Sequence, residues 1–123
     1  MRKGKKEENY LERVPVHPTR FTWSKDDGGI VTLHIENKGI FKRITQILIK
    51  KPRVSHIHLD ELGSFIWLQI DAERTLTEIG ETVEAHFGEK AHPTYERLAQ
   101  FFRMLSAYKF IDWKITDAIK KSN

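Results

Sequence analysis

The spacing of apolar and polar positions changes along the chain, and each change marks an element. Phe21-Thr22-Trp23 and Ile30-Val31-Thr32-Leu33-His34-Ile35 alternate with the period of a strand. Between them stands Lys25-Asp26-Asp27-Gly28-Gly29, whose Asp-Gly-Gly is a strong hairpin-turn signal. The pattern predicts an antiparallel hairpin pairing 20–24 with 30–36. From Lys38 to Lys51 the period becomes helical. Ile40, Phe41, Ile44, Ile47 and Leu48 share one face, Lys38, Lys42, Arg43 and Lys50 fall largely off it, and Pro52 ends the run. Val54-Ser55-His56-Ile57-His58-Leu59 then alternates again, predicting a third strand with Ile57 and Leu59 inward.

Three helices follow. Asp60 suits the N-cap of a helix over 61–70 with a core stripe of Leu62, Phe65 and Ile66. Thr75-Leu76-Thr77-Glu78 has the capping-box form and opens a helix that turns Leu76, Ile79, Val83 and Phe87 inward and closes at Gly88. Pro93 fits the first turn of a last helix, 93–108, burying Leu98, Phe101, Phe102 and Leu105, with a short strand expected within 110–115. Upstream, Pro15 and Pro18 make 10–18 an extended lead-in. The expected fold class is α+β and winged-helix-like: a three-stranded antiparallel sheet followed by three helices, with an extra basic helix before the third strand. It occupies a single domain over 10–116, between a disordered basic tail (1–9) and a C-terminal tail (117–123).

Composition narrows the class. A chain of 123 residues, 39% hydrophobic and 31% charged, suits one globular domain. It has no cysteine, which removes disulfides, thiolate nucleophiles and cysteine-based zinc sites together. No apolar run approaches the ~20 residues of a membrane span, and the basic start lacks the apolar stretch of a secretory signal, so a cytoplasmic location is expected. The net charge of +4 suggests a polyanion ligand until its distribution is considered. Residues 1–53 carry +7, residues 54–119 carry −5 and the last four carry +2. A basic nucleic-acid-binding surface on the C-terminal half is therefore not expected.

Candidate chemistry is sparse. His56 and His58 share one face of a strand, and a His-x-His pair can supply two metal ligands. A third would have to come from His34, His86 or His92, and no spacing requires it, so solvated strand histidines and no metal are expected. The carboxylates of 71–89 fall at helical spacing, as on the wet face of an amphipathic helix, and Trp67 reads as packing. No HExxH, GxSxG, phosphate-loop or dinucleotide motif is present. A small domain without nucleophile, metal set or phosphate loop is expected to be a binder rather than an enzyme, with no catalytic residue and no cofactor.

From the third strand onward the chain resembles the PqqD-like family of peptide-binding domains, also called RiPP recognition elements. The resemblance is carried by Ile57-His58-Leu59-Asp60-Glu61-Leu62-Gly63-Ser64-Phe65-Ile66-Trp67 and by Ile70-Asp71-Ala72-Glu73-Arg74-Thr75-Leu76-Thr77-Glu78-Ile79. The family pattern joins a strand ending in Leu-Asn or Leu-Asp to a helix with a small residue near its start. An Asp-Gly-like break and an Arg-Thr/Ser-x-x-Glu-Ile opening follow. Including the hairpin and the last helix, the resemblance covers about 19–112. Two departures stand out. The basic segment 38–51 lengthens a connection that is short in the family, and the family's frequent Gly before the final apolar pair is Lys109 here.

The resemblance implies a non-catalytic chaperone. It would bind the leader of a ribosomally made precursor peptide as an added strand and present it to a modifying enzyme, commonly a radical S-adenosylmethionine protein. The edge would be Val54, Ser55, His56, Ile57, His58 and Leu59. Beside it the last helix would offer Tyr95, Ala99, Phe102 and Ser106, with Arg103 for an acidic leader residue. Phe102 is equally readable as core. Lys42, Arg43 and Lys50 would face outward and dock an acidic patch on the partner enzyme. The alternative is a winged-helix DNA-binding regulator. Against it stand the acidic hairpin tip at Asp26-Asp27 and the negative helical half, since duplex binding depends on Lys and Arg neutralising phosphates. The six bases from Lys38 to Arg53, with no acid among them, leave open a third reading, attachment to an acidic protein or membrane surface.

Overall fold

In the computed structural model the described residues are 10–36 and 54–115. The basic helix expected over 38–51, with Lys42, Arg43 and Lys50, and both expected tails lie outside them. The elements run β1 (Pro15–Val16), β2 (Thr22–Lys25), β3 (Val31–Glu36), β4 (Val54–His58), α1 (Glu61–Leu68), α2 (Leu76–Phe87), a 3-10 turn (Gly88–Ala91), α3 (Thr94–Ala107) and β5 (Asp112–Trp113). The described residues fall into two compact units, a sheet unit over 19–36 and 54–64 and a helical unit made of 10–18 with 65–115. The architecture is α+β, and among the described residues no helix is long and apolar enough to cross a membrane.

The sheet unit is an antiparallel β2-β3-β4 sheet. Its hairpin closes where the Asp-Gly-Gly signal places it, although Lys25 belongs to the strand and Ile30 to the turn. Asp26 Oδ1 accepts the Ile30 N–H at 2.9 Å, and Gly29, at φ +85°, donates to the Asp26 carbonyl at 3.0 Å. That positive φ is open to glycine at no steric cost. Inward alternation buries Val31 and Leu33 completely, and Ile57 stands opposite Leu33. Pairing continues one residue past β4, since the Leu59 N–H donates to the Val31 carbonyl at 2.9 Å. Ser64, the small residue of α1, is buried and fully used: its Oγ accepts the Val31 N–H at 2.8 Å and donates to the Leu59 carbonyl at 3.3 Å. A buried hydroxyl satisfied twice ties both strands without the desolvation cost of an orphaned group. Asp60 caps α1 as expected, accepting the Gly63 N–H at 2.7 Å.

In the helical unit α2 opens on the expected capping box, with Thr75 Oγ1 and Glu78 each accepting the other's backbone N–H. The preceding break is held by Asp71, whose Oδ1 accepts the N–H groups of Arg74 and Glu73. Those bonds, Arg74's first, hold its carboxyl below the ordinary range. Leu76, Ile79 and Val83 face the core with Leu98, Phe102 and Leu105 of α3. Four expected inward positions are corrected. The stripe on α1 is rotated by about one residue: Ile66 and Trp67 are buried while Leu62 and Phe65 are half-exposed, because the Trp67 indole takes the deepest position. Phe101 and Phe87 are likewise half-exposed, and Phe87 meets Phe65 edge-on at 5.2 Å.

The lead-in is an integral part of this unit. β1 pairs antiparallel with β5, Pro15 opposite Trp113 and Val16 opposite Asp112, and the Lys114 N–H extends the ladder to the Val14 carbonyl. Arg13 and Leu11 offer their carbonyls to the Leu76 N–H and the Thr77 hydroxyl of α2. His17 stacks on Trp67 at 4.4 Å, its Nε2 2.9 Å from the Trp67 carbonyl oxygen.

Candidate functional site

β4 is an end strand of its sheet among the described residues, and its side chains alternate as the sequence requires. His56 and His58 are exposed, Ile57 is half-buried and Leu59 is buried. Register decides what the histidines meet. His56 lies opposite His34, which lies opposite Thr22, and His58 lies opposite Thr32, which lies opposite Ser24. The polar face of the sheet is thereby a lattice of hydroxyls and imidazoles. His34 Nδ1 and His56 Nδ1 are 2.8 Å apart, and Ser24 Oγ is 2.8 Å from His34 Nε2. His58 Nδ1 takes a separate partner, Thr32 Oγ1, at 2.8 Å. The His-x-His pair read along the strand is thus split between two cross-strand neighbours. The sequence signal for the pairing was period-two placement of His34, but only the register selects its partner.

On α3 the expected stripe divides. Phe102 is completely buried, with the Trp113 ring 6.0 Å away, and is core rather than a surface a peptide can touch. Ser106 accepts the Trp113 indole N–H at 3.3 Å. Tyr95, Ala99 and Arg103 instead line one side of a groove of about 210 Å³. Its other side is Tyr10 and Leu11 from the lead-in. The Arg103 guanidinium sits 4.9 Å over the Tyr10 ring, and Arg13 lies 5.2 Å from the same ring. Burial raises the Tyr10 pKa against the pull of these two cations. Burial also raises that of Tyr95, and Glu84 and Glu81 add to it. Tyr10 was not among the residues the sequence singled out. Its only signal was an aromatic at the head of a segment expected to be extended, whereas Tyr10 and Leu11 are helical.

Among the described residues no three histidine or acidic side chains converge as a metal-binding set. The comparisons with known proteins bear on the same region. The family model described as "Coenzyme PQQ synthesis protein D (PqqD)" matches residues 29–111, which contain β3, β4 and all three helices. No curated protein and no solved structure matches the chain.

Proposed function

The chain belongs to the PqqD family, a family of RiPP recognition elements, and on that premise we propose that it is a non-catalytic chaperone for a ribosomally made precursor peptide. The leader adds as a strand along β4, over Val54, Ser55, His56, Ile57, His58 and Leu59. The observation that carries this reading is β4 itself: among the described residues an end strand, paired with β3 over its whole length, inside the matched segment. Strand addition draws affinity from main-chain hydrogen bonds and specificity from alternate side chains. One row of the leader's side chains would continue the Ile57 side of the sheet and the other the His56 and His58 side.

The helical unit contributes its own surface to the proposal. The groove at Tyr95, Ala99 and Arg103 accepts a side chain, and the exposed Arg103 guanidinium favours a carboxylate. Ser106 stays in the proposed peptide surface although it does not line this groove, whereas Phe102 acts from the core. Presentation is to a peptide-modifying enzyme, a radical S-adenosylmethionine protein in the commonest family arrangement, with Lys42, Arg43 and Lys50 as the docking contacts for an acidic patch. A winged-helix architecture and a single domain over 10–116 belong to the same proposal.

Short reading frames beside the gene supply the probes. Each encoded peptide is titrated against the full chain by calorimetry. One saturable one-to-one complex, accompanied by amide shifts in β4, is the expected result. Absence of binding by every such peptide, or shifts that leave β4 untouched, would overturn the reading.

A further inference from the structure

The cross-strand contact between His34 and His56 has a chemistry that peptide capture does not use. We infer that these two imidazoles form a site for a borderline divalent transition-metal ion, with zinc(II) and copper(II) as the matching chemistry, on the polar face of the sheet. Two ring nitrogens 2.8 Å apart are held together by a single shared proton. Replacing that proton by a metal ion requires little movement. Zinc–imidazole bonds of about 2.0–2.1 Å at a tetrahedral angle place the two nitrogens about 3.3 Å apart, roughly half an ångström wider than here. Small side-chain rotations supply that much.

The surroundings favour the exchange. The rings already stand at 77° to one another with centroids 5.0 Å apart, so neither ring blocks the space between the two nitrogens. Ser24 Oγ holds the outer nitrogen of His34, and an outer hydrogen bond of this kind fixes which nitrogen faces the metal. Both residues are positioned by the β3–β4 ladder rather than by a loop, and His56 is exposed, which gives the ion a path in. His58 is engaged with Thr32 and stays outside the site. With two protein ligands, the remaining coordination positions belong to water or to an incoming donor. Imidazole suits zinc and copper, while magnesium and calcium prefer oxygen and would not compete. A bound ion would bridge the two strands, and the inference stands whether or not a peptide adds to β4.

The test uses the full chain, the metal alone and the folded protein at pH 7.5. Zinc(II) at about ten times its dissociation constant should raise the thermal midpoint by about 4 °C or more, reversibly with a chelator. The imidazole resonances of His34 and His56 should shift with one ion per chain, while those of His58, His86 and His92 stay in place. His34→Gln and His56→Gln should each lose the response, and His58→Gln should keep it. Copper(II) should displace zinc(II), and magnesium should do nothing. A zinc response that survives His34→Gln and His56→Gln, or resonance shifts confined to His86 and His92, overturns the site. So does the absence of any shift in the wild-type imidazoles, which is read directly and does not depend on how the variants fold.

Discussion

The ring of Tyr95 on α3 lies against the bare backbone of Gly80 on α2, so closely that a Cβ at Gly80 would stand within 2.9 Å of Tyr95 Cδ1 and Cζ. A glycine inside a helix costs about 1 kcal/mol relative to alanine, and here it makes room for the aromatic ring. Gly80→Ala should therefore destabilise the protein despite its better helix propensity. Overpacking of this kind costs roughly 1–3 kcal/mol. Chemical denaturation measures it, and Gly80→Ala combined with Tyr95→Leu should recover part of the loss. Destabilisation undiminished in the double variant would show that the ring is not the obstacle.

That relationship also selects the variant for probing the α3 groove. Tyr95→Ala would unpack the α2–α3 contact, so lost binding could not be told from lost structure. Arg103 is exposed and its main contact is the Tyr10 ring, worth about 0.5–1 kcal/mol at an exposed site. Arg103→Gln should lower stability by no more than that. Affinity for a leader carrying an acidic residue should fall by about tenfold, the equivalent of ~1.4 kcal/mol. Calorimetry with that leader and with its Asp→Asn or Glu→Gln counterpart reads the difference, which should vanish for the neutral peptide.

Two positions where the family pattern favours glycine keep glycine's geometry without it. Ala72, in the break before α2, has φ +65°, and Lys109, after α3, has φ +62°. At Lys109 the helix ends with its own N–H on the Ser106 carbonyl and the Phe110 N–H on the Leu105 carbonyl. A left-handed residue with a Cβ costs about 1–2 kcal/mol, of which glycine's extra unfolded-state freedom offsets about 0.4–1. Ala72→Gly and Lys109→Gly should each stabilise the fold, by about 0.5–1 kcal/mol, and add when combined. Denaturant midpoints check this.

Stability should depend on pH through His17. Burial against Trp67 holds its imidazole below the ordinary 6.5, while the bond to the Trp67 carbonyl acts in the opposite direction. A folded-state pKa below the unfolded value means that the unfolded chain takes up the proton first. This contribution is therefore complete above pH 6.5 and is lost as the pH falls through 6.5 toward the folded value. His17→Phe retains an aromatic ring over Trp67 and should flatten the decline in thermal midpoint between pH 7.5 and 5.5. An equally steep decline in the variant would place the proton elsewhere.

The parts legible in the sequence were those written locally. The Asp-Gly-Gly turn, the Asp60 cap and the Thr75–Glu78 capping box each involve residues within four positions of one another, and all three form. Strand alternation gave β3 and β4 to within a residue and β2 to within two. What escaped is set by register and packing over long separations. β5 falls within the short strand expected at 110–115, but its partner was not legible: β1 is only two residues long, and the pairing of Pro15 with Trp113 depends on the whole helical unit. The phase of α1 turned on which side chain took the deepest position, and Trp67 displaced the Leu62–Phe65 face. For the candidate site, the strand was legible but the partner of His56 was not, because antiparallel register pairs it with His34, 22 positions away. Gly80 was the overlooked signal for Tyr95: a glycine within an apolar helical stripe marks a close approach.

Hydrogen exchange of the β4 amides tests the central claim most directly, measured with and without a precursor peptide that binds. Strand addition places peptide carbonyls on outward-facing β4 amides, so exchange within 54–59 should slow on binding. The amides of β2 at the opposite end of the sheet, already in place at Thr22–Lys25, should change little. Saturating peptide that leaves 54–59 exchanging at the free rate, while protecting β2 or another element, would contradict strand addition at β4.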